Sequence, residues 1–247
     1  MRVDVVVDGP APGAVQMARD EAMGAQAAAT GRALVRLYRW SPPAVSIGHH
    51  QSPEEACDPA ACRALGWDVV RRPTGGRAVC HAADEVTYAV ALPADAAPAG
   101  VSATAAWLGS GLLSAYRRLG LPAELAPGQR LPGRTGACFD AAAAQELVCG
   151  GRKIAGSAQV RRGGYVLQHG SLPLRFDAAL HCRLLGLPPE AARRLARRAA
   201  GIADFADPPP GWDEVAAAVA AGLVEALTAG PPNPAPSAGG TAGAAAP

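Results

Sequence analysis

Residues 146–174 read ELVCGGRKIAGSAQVRRGGYVLQHGSLPL and contain three strand-like segments separated by two pairs of adjacent glycines. Adjacent glycines between short strand-forming segments are typical of hairpin turns, because glycine readily adopts the positive φ that tight turns require. We therefore predict a three-stranded meander over residues 146–149, 152–162 and 165–174. A glycine in mid-strand is destabilising unless another group must approach the backbone there, so Gly156 marks a candidate site.

The rest of the chain alternates strand and helix patterns without an internal repeat. A period of two residues indicates a strand, and a period of 3.6 residues indicates a helix. The predicted strands are residues 3–7, 34–40, 44–47, 67–72, 77–80 and 85–90. The predicted helices are residues 13–29, 58–65, 103–119 (with Ser102 as N-cap), 177–185, 189–199 and 213–229.

These elements predict the α+β class, with mixed or antiparallel sheets and helices packed outside them. Their extent predicts a single domain over residues 1–229. The remaining residues, 230–247, carry no charged side chain and are dominated by proline, glycine and alanine. That composition is typical of a disordered tail, because it offers too little apolar surface to bury.

The positive charges of the chain are unusual in kind, because 22 of the 23 basic residues are arginine and one, Lys153, is lysine. A GC-rich codon bias explains arginine wherever a fixed positive charge is sufficient. Arginine cannot release its proton or act as a compact ammonium group, so the retained Lys153 is a candidate functional residue.

Overall charge and hydropathy exclude several classes of protein. The net charge of +2 gives no basic field that would attract nucleic acid. The N-terminal residues lack the apolar core of a signal peptide, and no apolar stretch approaches the ~18 residues of a membrane span. We expect a cytoplasmic protein that binds neither nucleic acid nor a membrane.

Three segments, two of them within residues 146–174, combine glycines with fixed charges and polar groups: RRPTGGRAVCH (71–81), GRKIAGSAQ (151–159) and LQHGS (167–171). The Gly75-Gly76 turn exposes backbone N–H groups, and arginines beside it can hold a carboxyl or phosphate group. On one strand, the side chains of Lys153, Ala155 and Ser157 would share a face. We predict that the three segments form one polar floor on one sheet, although solvated arginines or a hydrogen-bonded core histidine at His169 would explain each segment alone.

The six cysteines give no metal-site signal, because they form no CxxC pair and Cys57-x4-Cys62 has neither a second pair nor a nearby histidine. No metal site is therefore predicted. Most cysteines of a cytosolic chain are small buried hydrophobic residues, and we expect this for five of the six.

The strings RRPTGGRAVCH, CFD, GRKIAGSAQ and LQHGSLPL, in that order, resemble those of the lipoate–protein ligase/octanoyltransferase family. This family shares its catalytic fold with biotin–protein ligases, so the resemblance implies a catalytic domain of that fold. The similarity covers about residues 36–174, and residues 20–22 also fit. Arg77 stands where the ligases typically carry a third glycine, and only helices and a tail follow Leu174. Both features resemble the octanoyltransferase branch.

The resemblance also implies the catalytic residues. Cysteine-dependent members carry their nucleophile fifteen positions before the motif lysine, and Cys138 occupies this place in GACFD. Cys182, the candidate of another branch, lacks the matching context, and Cys80 is the main rival for thiol chemistry. A thiolate is the reactive form of cysteine and a nearby cation favours it, which is the role implied for Lys153. The expected substrate-binding residues are Arg72, Gly75, Gly76, Arg77, His81, Gly156, Ser157, Gln159, His169 and Gly170.

The implied activity is octanoyl transfer from acyl carrier protein to a lysine of a lipoyl-carrier domain through an acyl-Cys138 thioester. The acceptor would be a glycine cleavage H protein or a 2-oxoacid dehydrogenase E2 domain. No cofactor is expected, because the acyl group arrives already activated on the phosphopantetheine arm of its carrier. Three alternatives remain open: an ATP-dependent lipoate or octanoate ligase, an octanoyl amidotransferase between lipoyl domains, and a non-catalytic scaffold. The scaffold would hold Lys153 in a salt bridge away from Cys138.

Overall fold

The structure is a computed structural model that describes residues 1–126 and 146–232. Cys138 and the GACFD segment around it lie outside the described residues, as does most of the tail predicted over 230–247. Within the described part of the chain, no helix combines the length and apolar character needed to cross a membrane.

The largest sheet has five strands, numbered here in chain order. Their spatial order is β1 (Val3–Val7), β2 (Ala33–Tyr38), β6 (Glu85–Pro93), β11 (Tyr165–Pro173) and β10 (Gly156–Arg162). The first pair is parallel and the other pairs are antiparallel, so the sheet is mixed. β10 forms one edge, and its neighbour β11 lies between it and the central strand β6.

Two smaller sheets flank the large one, each with three strands. The first has the order β4 (Asp68–Arg71), β3 (Ala44–Ile47) and β5 (Val79–His81). The second has the order β7 (Ala123–Leu125), β8 (Leu147–Cys149) and β9 (Arg152–Lys153).

The described helices are α1 (Gly13–Thr30), α2 (Pro53–Ala56), α3 (Pro59–Ala64), α4 (Val101–Arg118), α5 (Ala178–Leu184), α6 (Ala191–Arg198) and α7 (Trp212–Ala229). Apolar residues of α4 and α7 pack against one face of the large sheet, where Trp107 and Leu223 share a core with Val90. Met17 and Met23 of α1 pack on the opposite face against Ala89 and Leu167. Because apolar side chains alternate between the two faces of β6 and β11, the sheet is buried on both sides, which confirms the predicted α+β class.

Both hairpins of the predicted three-stranded meander are present, but its middle strand over 152–162 is not continuous, so the meander as a single sheet is wrong. β8 and β9 form a hairpin in one of the small sheets, whereas β10 and β11 belong to the large sheet. The chain leaves the strand conformation at Ile154 and Ala155, where the Tyr116 hydroxyl donates a 3.0 Å hydrogen bond to the Ile154 carbonyl. In a continuous strand, the Ile154 carbonyl would accept a hydrogen bond from a neighbouring strand. Here the Tyr116 hydroxyl is the donor instead. Lys153 and Ser157 are therefore not on one face of one strand.

Smaller differences concern the ends of elements. Helix α4 begins at Val101 with Gly100, at φ 85°, as its N-cap, so the predicted cap at Ser102 is wrong. The predicted helix over 58–65 is confirmed, and Asp58 caps it by accepting the backbone N–H groups of Ala60 and Ala61. The short elements α2 and β7 were not predicted, because three or four residues give too short a window for periodicity.

Candidate active site

A cavity of about 420 Å³, part of it open to solvent, lies where the large sheet meets the sheet that contains β3 and β5. Met17, Trp40 and Val79 supply apolar wall. Seven of the ten predicted substrate-binding residues line it: Arg72, Gly76, His81, Gly156, Ser157, His169 and Gly170. Gly75, Arg77 and Gln159 are not in this lining. The predicted polar floor is therefore assembled from strands and loops of different sheets, and the prediction that it lies on one sheet is wrong.

Arg72 is buried and shapes the glycine turn from within. Its Nε donates to Thr74 Oγ1 at 3.1 Å, and its Nη1 donates to the carbonyl and hydroxyl of Ser46 at 2.9 and 3.2 Å. Its Nη2 donates to the carbonyls of Gly75 and Arg77 at 2.8 and 2.7 Å. A guanidinium has five N–H donors, and these contacts engage all five with groups of the chain itself. A phosphate or carboxyl group of a substrate would have to displace one of them.

His169 connects the glycine turn to a buried ion-pair cluster. Its Nε2 lies 2.7 Å from Thr74 Oγ1 and its Nδ1 lies 2.9 Å from Asp20 Oδ2. Asp20 is fully buried and also accepts hydrogen bonds from Arg36 Nη1 at 2.7 Å and Tyr38 Oη at 3.0 Å. A carboxylate oxygen can only accept, so the Nδ1 of His169 donates the hydrogen bond to Asp20. His169 thus fixes the position of Thr74 and of the turn that follows it.

His81, which also lines the cavity, is held in a second polar chain. Its Nδ1 lies 2.7 Å from Glu85 Oε1 and its Nε2 lies 2.7 Å from Ser46 Oγ. The indole of Trp40 stacks on the imidazole, with ring centroids 4.1 Å apart and an interplanar angle of 17°. Glu85 accepts a further hydrogen bond from Ser171 Oγ at 2.7 Å. These contacts pair the polar atoms of the wall with one another. Much of the surface that faces the cavity therefore consists of aromatic ring and hydrocarbon atoms.

Gly170 leaves room for the ring of Tyr88 to pass over strand β11 toward β10. A Cβ at this position would lie 2.5 Å from Tyr88 Cε1 and 2.6 Å from the Gly156 carbonyl oxygen. Because only glycine leaves this space open, the Tyr88 hydroxyl reaches Ser157 Oγ at 2.8 Å and accepts from Gln168 Nε2 at 3.0 Å. Burial raises the pKa of Tyr88, so the hydroxyl stays protonated.

We expect Gly170→Ala to lower the free energy of unfolding by about 1–3 kcal/mol, because the added methyl group must displace the Tyr88 ring or the Gly156 backbone. Urea denaturation of the variant and the wild-type chain measures the change. Gly9→Ala is the matched control, since a Cβ at Gly9 meets no atom within 4 Å. An unfolding midpoint for Gly170→Ala equal to that of the control would show that the crossing is not tightly packed.

Lys153 is buried at 1% exposure, and its Nζ donates to Glu146 Oε1 at 2.8 Å. The carboxylate partner retains 15% exposure of its side chain. The charge of Glu146 contributes, after burial, to the raised pKa of Tyr88. The scaffold alternative predicts a salt bridge of this kind. Its second requirement, separation from Cys138, concerns a residue outside the described ranges.

The described cysteines are buried. Cys80 was the main rival for thiol chemistry, yet Val79 and His81 on either side of it line the cavity while Cys80 packs in the core with Val45 and Ile47. Burial raises the pKa of the Cys80 thiol well above its ordinary value, which disfavours the reactive thiolate. Burial also raises the pKa of Cys57, Cys62 and Cys149.

The sequence interpretation gave no chemical role to Ser46, Thr74, Glu85 or Tyr88, which hold the predicted residues in place. Ser46 and Glu85 carry a usable signal, because Ser46 is the one polar residue of the strand AVSI and Glu85 is the one charged residue of the strand EVTYAVALP. Such a residue is hydrogen-bonded when buried, so its position indicates a network. The partner of each residue lies far away in sequence and is visible only in the fold.

Comparison with known proteins places these features in a family context. The family model of the lipoyl protein ligase A/B catalytic domain matches residues 12–224. Octanoyltransferase LipM of Symbiobacterium thermophilum is 45% identical over 234 residues, which cover 89% of this chain and 84% of that protein. Octanoyltransferase LipM of an Exiguobacterium species is 40% identical over 231 residues, covering 87% and 83% respectively.

The fold is also found among solved structures. A bi-partite lipoate protein ligase from Thermoplasma acidophilum, studied as part of an archaeal lipoylation system, superposes with a TM-score of 0.76 at 24% identity. The superposition covers 92% of this chain and 84% of the other. This likeness shows that the two chains share a fold.

Proposed function

This chain belongs to the lipoyl protein ligase A/B catalytic-domain family, and on that basis we propose that it transfers an octanoyl group from an acyl carrier protein to a lysine of a lipoyl-carrier domain. The observation that carries the proposal is the 45% identity, over most of both chains, to a protein named as an octanoyltransferase. The acceptors proposed are the glycine cleavage H protein and 2-oxoacid dehydrogenase E2 domains.

The cavity supports an acyl substrate. Its walls include Met17, Trp40 and Val79, and the polar atoms of His81, Ser46 and Glu85 are engaged with one another. Burying hydrocarbon contributes about 0.8 kcal/mol per methylene, so a chain of about seven carbons beyond the carbonyl would gain several kcal/mol over a short acyl group.

In the proposed first step, the thiolate of Cys138 attacks the carbonyl carbon of the carrier-bound thioester. A new C–S bond forms, the bond to the carrier sulfur breaks, and the carrier leaves as a thiolate that takes up a proton. Lys153 is the cation proposed to favour the Cys138 thiolate. Backbone N–H groups of Gly75 and Gly76, or of Gly156 and Ser157, are proposed to bind the oxygen that becomes negative in this step.

In the second step, the acceptor lysine amine attacks the acyl-Cys138 carbonyl carbon. A C–N bond forms and the C–S bond breaks, while the proton of the amine passes to the departing Cys138 thiolate. One thioester is exchanged for another and then for an amide, so no nucleotide is consumed and no cofactor is proposed.

Gln159 is proposed to hold the acceptor amine. Its Nε2 donates to Gln168 Oε1 at 3.0 Å, and Gln168 in turn donates to Tyr88. This orientation leaves Gln159 Oε1 as the one buried side-chain nitrogen or oxygen without a hydrogen-bond partner among the described residues. A buried acceptor without a donor costs about 1–3 kcal/mol, which a donor N–H of the incoming amine would recover.

Gln159→Leu is expected to slow transfer from the acyl-enzyme to the lipoyl domain by about 10-fold, the equivalent of one lost hydrogen bond, and to leave acyl-enzyme formation unchanged. Single-turnover mass spectrometry of the two half-reactions separates these effects. Gln26→Leu, on the exposed side of α1, is the matched control. Slower acyl-enzyme formation in Gln159→Leu would contradict the assignment, because it would place the glutamine on the donor side.

The proposed function is tested by mixing the chain with octanoyl-carrier protein and an unmodified lipoyl domain in the absence of ATP. An octanoyl group should appear on the lipoyl domain, as measured by intact mass. A requirement for ATP together with free octanoate would indicate a ligase instead. Transfer from an octanoylated lipoyl domain, with none from the carrier protein, would indicate an amidotransferase.

A further inference from the structure

Positive charge is concentrated in one segment of the chain. Residues 175–198 contain six arginines and two acidic residues, a net charge of +4, whereas the whole chain carries only +2. The segment forms α5 and α6, which pack against each other. The rest of the protein therefore has a net negative charge, and this surface is distinct from it.

Helix α6 has the sequence AARRLARR and exposes its charges on the side away from the core. Ala191 and Leu195 are buried, while Arg193 and Arg197, one helical turn apart, are exposed on the opposite side. Neither of these two arginines has an ion-pair partner within residues 1–126 and 146–232. Arginines that face solvent without a carboxylate nearby are available to a partner molecule.

The helix lies directly beside the candidate active site. Its buried Ala191 and Leu195 share a small core with Val79, which also lines the cavity. The chain then continues into Ala199 and Ala200, which pair with the strand of Lys153, the Ala200 N–H donating to the Lys153 carbonyl at 3.0 Å. A molecule bound on the outer face of α6 is therefore separated from the cavity by the helix itself and by the side chain of Val79.

The arginines of the RRPTGG motif are less available for such a role. Arg72 is buried, and all five of its donors contact the chain, as described above. Arg71 directs its Nη1 to the carbonyls of His49 and Gln51 at 2.9 and 2.6 Å. The motif arginines thus shape the rim of the site, while α6 presents charge to the outside.

We propose that the exposed face of α6, centred on Arg193 and Arg197, is the docking surface for the acidic carrier protein that delivers the acyl group. The inference rests on the proposed function, because that function requires a protein-bound donor. A carrier of this class has an acidic surface and joins its prosthetic arm through a phosphodiester, so a basic helix beside the cavity matches both charges. Charge complementarity of this kind raises the rate of encounter and weakens with salt.

The test is the double variant Arg193→Glu/Arg197→Glu, assayed for acyl-enzyme formation with two donors. One donor is octanoyl-carrier protein, and the other is octanoyl-pantetheine, which is uncharged and lacks the protein. With the carrier protein, kcat/KM should fall at least about 10-fold at low ionic strength, and the loss should shrink as salt is added. With octanoyl-pantetheine, kcat/KM should match the wild-type chain, which also shows that the variant is folded.

Arg2→Glu/Arg117→Glu is the matched control, because both arginines are exposed and lie outside the 175–198 segment. An unchanged kcat/KM for the α6 variant with the carrier protein would overturn the inference. So would normal acyl-enzyme formation with slower transfer to the lipoyl domain, since the patch would then receive the acceptor. If the wild-type chain is acylated by neither donor, the proposed function itself fails, and the inference fails with it.

Discussion

Cys138→Ala is expected to abolish octanoyl transfer, lowering it by at least about 10³-fold, and to leave no acyl group on the chain after mixing with octanoyl-carrier protein. Alanine removes the sulfur that forms the intermediate, and the cysteines of the described residues are buried. Cys80, whose neighbours Val79 and His81 line the cavity, lies in the core, and burial raises the pKa of its thiol well above the ordinary value. Intact-mass spectrometry of the chain and of the lipoyl domain measures both effects.

Cys80→Ala is the control for this experiment, because it removes a thiol from the strand that borders the cavity without removing the proposed nucleophile. We expect it to be acylated like the wild-type chain, provided that the cavity left in the core does not unfold it, which circular dichroism monitors. Retained transfer by Cys138→Ala would contradict the covalent mechanism. If that transfer depended on ATP and free octanoate, the ligase alternative would replace it.

Lys153→Arg is expected to acylate at least about 10-fold more slowly than the wild-type chain at neutral pH while remaining folded. Arginine keeps a positive charge for Glu146, so the ion pair at 2.8 Å has a substitute. The planar guanidinium, however, does not reproduce a compact ammonium in a position that is 1% exposed. The rate of acyl-enzyme formation with octanoyl-pantetheine, measured against pH, reports the effect without the carrier protein.

The pH profile separates a chemical role of Lys153 from a structural one. A thiol without a cation beside it ionises around its ordinary pKa of about 8.5, so the deficit of Lys153→Arg should shrink as the pH rises toward that value. Glu146→Gln is the matched control: it removes the carboxylate of the same ion pair but keeps the lysine side chain, and it should acylate faster than Lys153→Arg. Wild-type rates for Lys153→Arg at neutral pH would show that the lysine only balances the charge of Glu146.

Local patterns in the sequence predict most of the secondary structure, and the helix over 213–229 illustrates why. Its apolar residues recur at helical spacing over eighteen residues, and the structure has α7 over Trp212–Ala229. The prediction of one continuous strand over 152–162 was wrong because the decisive interaction is not local. The hydroxyl of Tyr116, 38 residues away, donates a hydrogen bond to the Ile154 carbonyl, and the strand ends there. The turn glycines on either side were identified correctly, since Gly150, Gly151, Gly163 and Gly164 have positive φ.

The sequence predicted which residues belong to the candidate site better than it predicted how they are arranged. Glycines and polar residues within apolar strands indicated His81, Gly156, Ser157 and His169, and all four line the cavity. What fixes them could not be predicted, because the partners are remote: Asp20 and His169 are 149 residues apart, and Tyr88 and Ser157 are 69 apart. The arginine-rich sequence of α6 received no role from the sequence, because only the fold places the helix beside Val79 and Lys153.

Locating the acyl group by peptide-level mass spectrometry tests the account most directly. The wild-type chain is mixed with octanoyl-carrier protein without ATP, digested under mildly acidic conditions, and compared with a sample treated with hydroxylamine, which cleaves thioesters. We predict one octanoyl group on the peptide that contains Cys138, lost with hydroxylamine and passed on when a lipoyl domain is added. An octanoyl group on another residue, or none unless ATP is supplied, would contradict the account.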